Sequence, residues 1–189
     1  AAYSEVEVSI AGQDNFIFPL GKQGRYLPLQ LRDGNTAALQ AQLKIGPPLN
    51  QSLATGIDQL IPSHHWQLSG GKIAEVQLSW DQNTQLDALV EQVEDLLLLG
   101  FNGDQWESLP ALLTPFAIGT NNPTSLSQGG IESKERIDFS RYTALAIGSR
   151  SSNSALQISQ AITPNGDGIN DVWFIDNIDR YPNAKIWVY

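Results

Sequence analysis

Apolar residues along this chain recur at every second position, in short runs, and that period limits the fold more than any other feature of the sequence. In VEVSI, Val6, Val8 and Ile10 fall on one face; in YLPLQL, Leu27, Leu29 and Leu31 do; in LQAQLKI, Leu39, Ala41, Leu43 and Ile45 do. Each run sends polar side chains the other way, as a strand with one buried face requires, because successive Cβ atoms alternate. AGQDN, GKQG, RDGN, GPP and SGGK punctuate the runs, and turn signals spaced by roughly 8–12 residues fit a sandwich or barrel. HHWQL, AEVQLSW, DLLLLGF, QWESL, ERIDF and YTALAIG continue the series. The expected fold is all-β: an antiparallel sandwich, Ig-like or jelly-roll-like, with one short helix.

That helix is predicted in TQLDALVEQVEDL, where Leu86, Leu89, Val90, Val93 and Leu97 recur at helical spacing and Asn83 or Thr84 is available as N-cap. It runs into LLLLGF, which reads as a buried strand. FNGDQW then closes a hairpin, with Asn102-Gly103 suited to the positive φ of a tight turn. Ile118 to Lys134 is polar and turn-rich and reads as a long surface loop. Gly148 to Ser154 reads as a linker, dividing a body over residues 1–152 from a segment over 153–189 that is too short to build its own core.

Composition removes several functions. A net charge of −9 without any basic cluster argues against nucleic acid and anionic membranes. LLLLGF, the longest apolar run, is far too short to span a bilayer. With no cysteine, disulfides, zinc–thiolate sites and cysteine nucleophiles are excluded. A chain without methionine that opens on Ala1 reads as a processed product or a piece of something longer. Nor do the polar residues converge. His64 and His65 are neighbours on a strand, pointing to opposite faces, and read as surface or rim residues. No serine occupies a Gly-x-Ser-x-Gly elbow. The acids Glu91, Glu94 and Asp95 lie on the polar face of the expected helix, and Asp176 and Asp179 form the other pair weighed for glycosidase chemistry. Trp66, Trp80, Trp106, Trp173 and Trp187 suit either core packing or a sugar-stacking platform, and exposure discriminates the two. The expectation is a non-enzyme.

Near the C-terminus stands ITPNGDGINDVWFIDNIDRYPNAKIWVY. Laid on an EF-hand pattern, Gly168 takes position six and Asn165, Asp167 and Asp171 take oxygen-ligand positions, but Thr163 and Phe174 occupy the first and last. A complete EF-hand is excluded. A weak calcium site on Asn165, Asp167 and Asp171 stays open beside a metal-free reading. In the latter, Pro164, Gly166 and Gly168 shape a compact loop and Asx-turns close it. VWFI and AKIWVY read as strands, and the second stops with its alternation still running.

The run from Thr163 to Asp171, TPNGDGIND, followed by an apolar strand and by Tyr181-Pro182-Asn183, resembles the opening of the type B C-terminal sorting domain of Bacteroidetes. That domain, also described as a gliding-motility-associated C-terminal domain, marks cargo of the type IX secretion system. The resemblance implies a second small β-sandwich of which only the first strands are in hand, since family members continue past IWVY. It also implies partners: the type IX outer-membrane machinery and an outer-membrane protein dedicated to type B cargo. Asn165, Gly166, Asp167, Gly168, Asn170 and Asp171 are then the residues that shape the signal or touch that partner. Upstream, FIFPLGKQGRYLPLQL, HHWQLSGG, DLLLLGFNGDQWESL and FSRYTALAIGS resemble β-sandwich modules of large surface proteins, which act as spacers or adhesin units. Together these imply a secreted or cell-surface protein exported across the outer membrane, without a cofactor. The alternative is a carbohydrate-binding or adhesin module whose ligands are surface glycans.

Overall fold

The computed structural model describes residues 4–150, 157–158, 175–176, 185 and 187. The chain divides into two compact units, Ala1–Arg150 and Ser151–Tyr189. In the first, the alternating runs become β1 (Val8–Ile10), β2 (Phe16–Phe18), β3 (Gly21–Lys22), β4 (Arg25–Tyr26), β5 (Leu29–Arg32), β6 (Leu39–Ile45), β7 (Ile57–Leu60) and β8 (His64–Gly70). There follow β9 (Ile73–Trp80), β10 (Leu96–Phe101), β11 (Trp106–Leu109), β12 (Ala111–Leu113), β13 (Gly129–Ser133), β14 (Ile137–Asp138) and β15 (Ala144–Arg150). One sheet runs β1-β6-β8-β15-β10-β11, with β7 also on β15; the other runs β12-β13-β9-β5-β2, with β14 on β9. Every pairing within these two sheets is antiparallel, as the alternation led one to expect.

The two sheets bury their apolar faces together. Leu39, Ala41, Trp66, Leu98 and Leu145 from the first share one cluster with Leu29, Leu31, Val76, Leu78 and Ile131 from the second. Of the residues read as facing inward, Leu27, Leu29, Leu31, Leu39, Ala41 and Leu43 are buried, Ile45 is half-buried, and Val6 lies outside β1 with its side chain in solvent. One buried cation in this body is pinned to carbonyls. The Lys72 ammonium donates to Gln13 O at 2.5 Å, Ala37 O at 3.3 Å and Asn35 O, tying two loops to the start of β9.

Three segments differ from the sequence expectation. The helical spacing over residues 83–97 is realised as three 3-10 turns, Gln82–Thr84, Leu86–Ala88 and Val93–Asp95. Asp81, rather than Asn83 or Thr84, takes the N-cap position; its N–H donates to Thr84 Oγ1 at 3.3 Å and its carboxylate accepts from the same hydroxyl at 3.1 Å. The stretch read as one surface loop from Ile118 to Lys134 contains β13, a buried strand paired with both β12 and β9. Gly129 and Gly130, which suggested a loop, are there because the neighbouring strand crowds them: a Cβ at Gly129 would lie 2.4 Å from the Trp80 ring, and one at Gly130 2.4 Å from Thr114 Oγ1. Finally, Gly148 and Ser149, read as the start of a linker, are buried positions of β15.

The first sheet also has a packed outer face. After β6 the backbone turns at Gly46, which takes φ +95°, and residues 46–56 cross that face to the far edge. There Leu53 bridges Trp106, Trp106 N donates to Ser52 O at 2.8 Å, and Ala54 N donates to Trp106 O at 2.9 Å. Beneath this arm Leu99, Trp106, Ala144, Ala146 and Ile57 form a second, smaller cluster. LLLLGF is a continuous apolar run because β10 is buried on both sides.

Candidate functional site

Asn165, Gly166, Asp167, Gly168, Asn170 and Asp171, the residues of the expected recognition loop and calcium site, lie outside the described residues, as does Trp173. What is described in this unit is a short frame. β16 (Gln157–Ile158) pairs antiparallel with β17 (Ile175–Asp176), Gln157 opposite Asp176 and Ile158 opposite Ile175. The pair thereby holds Ile158 and Ile175 side by side. Of VWFI, Ile175 belongs to β17. Of AKIWVY, Lys185 and Trp187 are described; both are exposed and neither lies in a strand.

The first unit offers the alternative places to look for chemistry. The two histidines do point to opposite faces of β8, but only one is a rim residue. His64 is fully buried between the sheets, its ring edge-on to Trp66 at 4.8 Å. Nδ1 meets Ser63 Oγ at 2.9 Å, whereas Nε2 has no partner. Burial first, and then the nearby Arg25 guanidinium, hold its pKa down to about 3. Arg25 in turn donates to both oxygens of Asp81, at 2.5 and 3.1 Å, and to Thr84 Oγ1 at 2.8 Å. Burial pushes the Asp81 carboxyl up, but the Arg25 hydrogen bond and charge outweigh it and leave it below the usual carboxylate range. A neutral imidazole enclosed by core residues has no access to substrate. His65 is half-buried on the outer face, with Nδ1 at 3.2 Å from Gly46 O.

The tryptophans of the first unit are packing residues. Trp66, Trp80 and Trp106 are buried, and each indole N–H donates to a backbone carbonyl, of Leu27 at 3.2 Å, Ser125 at 2.8 Å and Asn50 at 2.9 Å. They cannot present a solvent-facing stacking platform. Among the described residues no group of three or more His, Asp or Glu side chains converges on a point that could hold a metal ion, and no helix is long and apolar enough to cross a membrane. Interest therefore returns to the C-terminal unit, with its paired frame and the run TPNGDGIND between the two strands.

Residues 156–189 match the family model described as the CHU_C Type IX secretion signal domain. The match begins one residue before β16 and runs through β17, so the described pair lies within the matched segment. A signal of this type implies export across the outer membrane and recognition by the type IX secretion machinery. No curated protein and no solved structure matches the chain.

Proposed function

We propose that the chain is the non-catalytic C-terminal region of a secreted or cell-surface protein. The sandwich over residues 4–150 is a spacer or adhesin-like module, and the following segment carries the address read by the type IX apparatus. The observation that carries this reading is the match of residues 156–189 to the secretion signal domain. Asn165, Asp167, Gly168, Asn170 and Asp171 shape the element inspected by an outer-membrane partner dedicated to type B cargo. The chemistry supports such a role: a short run dense in glycine, amide and carboxylate offers backbone and side-chain donors and acceptors to a partner without needing a pocket.

The test is export. The chain, joined to whatever its reading frame encodes after Tyr189 and to a fluorescent passenger, is expressed in a host with a working type IX system. The passenger is expected outside the outer membrane, and Asp167→Ala with Asp171→Ala is expected to retain it inside. Retention of the unmutated fusion, at undiminished cellular level, sinks the proposal. Whether Asn165, Asp167 and Asp171 also take calcium is read separately by calorimetry, where absence of heat at millimolar calcium disposes of a weak site.

A further inference from the structure

The arm over residues 46–56 does not cover all of the outer face. Between it and the sheet lies a cleft of about 540 Å³ whose lining includes Lys44, Pro48, His65, Gln67, Phe101 and Thr143. Strand register shows how one row of the sheet builds its floor. Gln42 stands opposite Gln67, Gln67 opposite Ala144, Ala144 opposite Phe101, and Phe101 opposite Trp106. Read across the sheet, that row passes from amides through a methyl group to two aromatic rings 5.4 Å apart. Lys44 stands opposite His65 in the row two residues further along.

Polarity is divided across the cleft. Phe101, Ala144 and the Pro47-Pro48-Leu49 arm supply an apolar wall, with Phe101 half-exposed. The opposite side carries Lys44, exposed Gln67 and His65, whose Nδ1 is engaged with Gly46 O and whose other ring nitrogen is not, and exposed Thr143 stands beside Phe101, its N–H donating to Phe101 O at 3.0 Å. Among the described residues no Asp or Glu lines it, in a chain with 20 acids against 11 bases. The arm is anchored at Asn50, since Trp106 Nε1 donates to Asn50 O at 2.9 Å and Asn50 Nδ2 to Asp104 O at 3.2 Å. A preformed concavity with an apolar wall and a few convergent polar groups is the usual form of a small-ligand site.

We propose that this cleft binds an acidic sugar residue, a uronate of a surface or matrix polysaccharide, with its carboxylate on Lys44, its apolar ring face against Phe101 and Pro48, and its hydroxyls on Gln67 and Thr143. Charge complementarity selects the anion, and the split between a ring-sized apolar wall and a polar edge selects a sugar over a simple acid. The site is independent of the export signal, so each proposal stands or falls alone.

The experiment titrates the full chain with a galacturonate trisaccharide, the same trisaccharide with its carboxylates reduced to hydroxymethyl groups, and an acidic tripeptide, followed by calorimetry and by amide shifts around Gln67 and Thr143. Saturable binding of the galacturonate alone is expected, weakened at least about tenfold by Lys44→Gln and reduced by added salt. Lys44 has no hydrogen-bond or ion-pair partner within the described residues, so this variant keeps the fold, which unchanged thermal unfolding verifies. No saturation at millimolar sugar, equal binding of the reduced trisaccharide, equal or tighter binding of the peptide, or indifference to Lys44→Gln each overturns the proposal.

Discussion

Leu98 and Leu99 are adjacent, identical in type and both fully buried, yet they belong to different cores. Leu98 faces the space between the two sheets, and Leu99 faces the arm on the outside. The inner core is enclosed by two hydrogen-bonded layers, whereas the outer one is roofed by a segment held mainly at its junction with Trp106. Equal burial thus does not mean equal rigidity of the surroundings. Leu98→Ala leaves a cavity that two sheets cannot close and is expected to cost about 3–5 kcal/mol; Leu99→Ala, under a roof that can settle, about 2–3 kcal/mol. Chemical denaturation followed by near-ultraviolet circular dichroism measures both. Amide exchange adds a local signature, because Ala54 and Trp106 are expected to lose protection in Leu99→Ala and keep it in Leu98→Ala. Equal costs with equal protection would show that the arm is as integral as a sheet.

The inner core was legible in the sequence where alternation is strict. Leu27, Leu29 and Leu31 in one run and Leu39, Ala41 and Leu43 in another identify strand, face and burial together, because period two leaves only one arrangement with a buried side. The outer core was not. LLLLGF announces burial on both faces, but nothing in a linear pattern says that residues 46–56 supply the second cover. That depends on a long-range junction, Leu53 against Trp106, with no local signature. Gly129-Gly130 misled for a related reason: glycine serves a loop by its backbone freedom and a crowded strand by its missing side chain, and only the neighbours, Trp80 and Thr114, tell which. The signal segment was legible for the opposite cause, as its identity lies in a contiguous run of residues rather than in packing.

His64 makes the inner core sensitive to acid, and His65 on the outer face, its pKa also lowered by burial, adds in the same direction. Above the ordinary histidine range, near pH 6.5, the ring is neutral whether folded or unfolded. Below it the unfolded chain takes up a proton that the buried ring refuses until about pH 3. The unfolded state therefore binds more protons, and stability falls as pH falls, by about 1.4 kcal/mol per unit across that window. Asp81, held below its usual range by Arg25, adds acid sensitivity only under about pH 4, so the two contributions separate. His64→Leu is expected to remove most of the upper part of this slope, leaving the share of His65, and, by removing an unpartnered buried nitrogen, to be neutral or slightly stabilising at pH 7. Unfolding midpoints taken between pH 4 and 7.5 decide it; an unchanged slope would place the titration elsewhere.

Gly148→Ala sharpens the contrast from the roof side. An added methyl would stand 2.4 Å from Leu99 Cδ1 and 2.7 Å from Gln59 O. The leucine can move under a yielding cover, but the carbonyl belongs to β7, bonded to the same strand. The expected loss is about 1–3 kcal/mol, and it is expected to shrink when Leu99→Ala is combined with it, since one of the two obstructions is then gone. A double-mutant cycle reads that coupling directly, and strict additivity would put the whole strain on the backbone of β7.

The smallest effect is expected at the tip of the arm. Leu49 is 107% exposed, so its side chain gains nothing from folding, and Leu49→Ser is expected to shift stability by less than about 0.5 kcal/mol. The value of the measurement lies in what an exception would mean. A loss above about 1 kcal/mol would require Leu49 to be buried in solution, and the cleft it lines offers Phe101 as an apolar surface. The arm would then fold down to extend the outer core over the very wall assigned to a sugar ring, and Leu49→Ser would tighten galacturonate binding by removing that competitor. Near-zero loss with unchanged affinity instead describes a cleft that stands open and an arm tip that takes no part in either core.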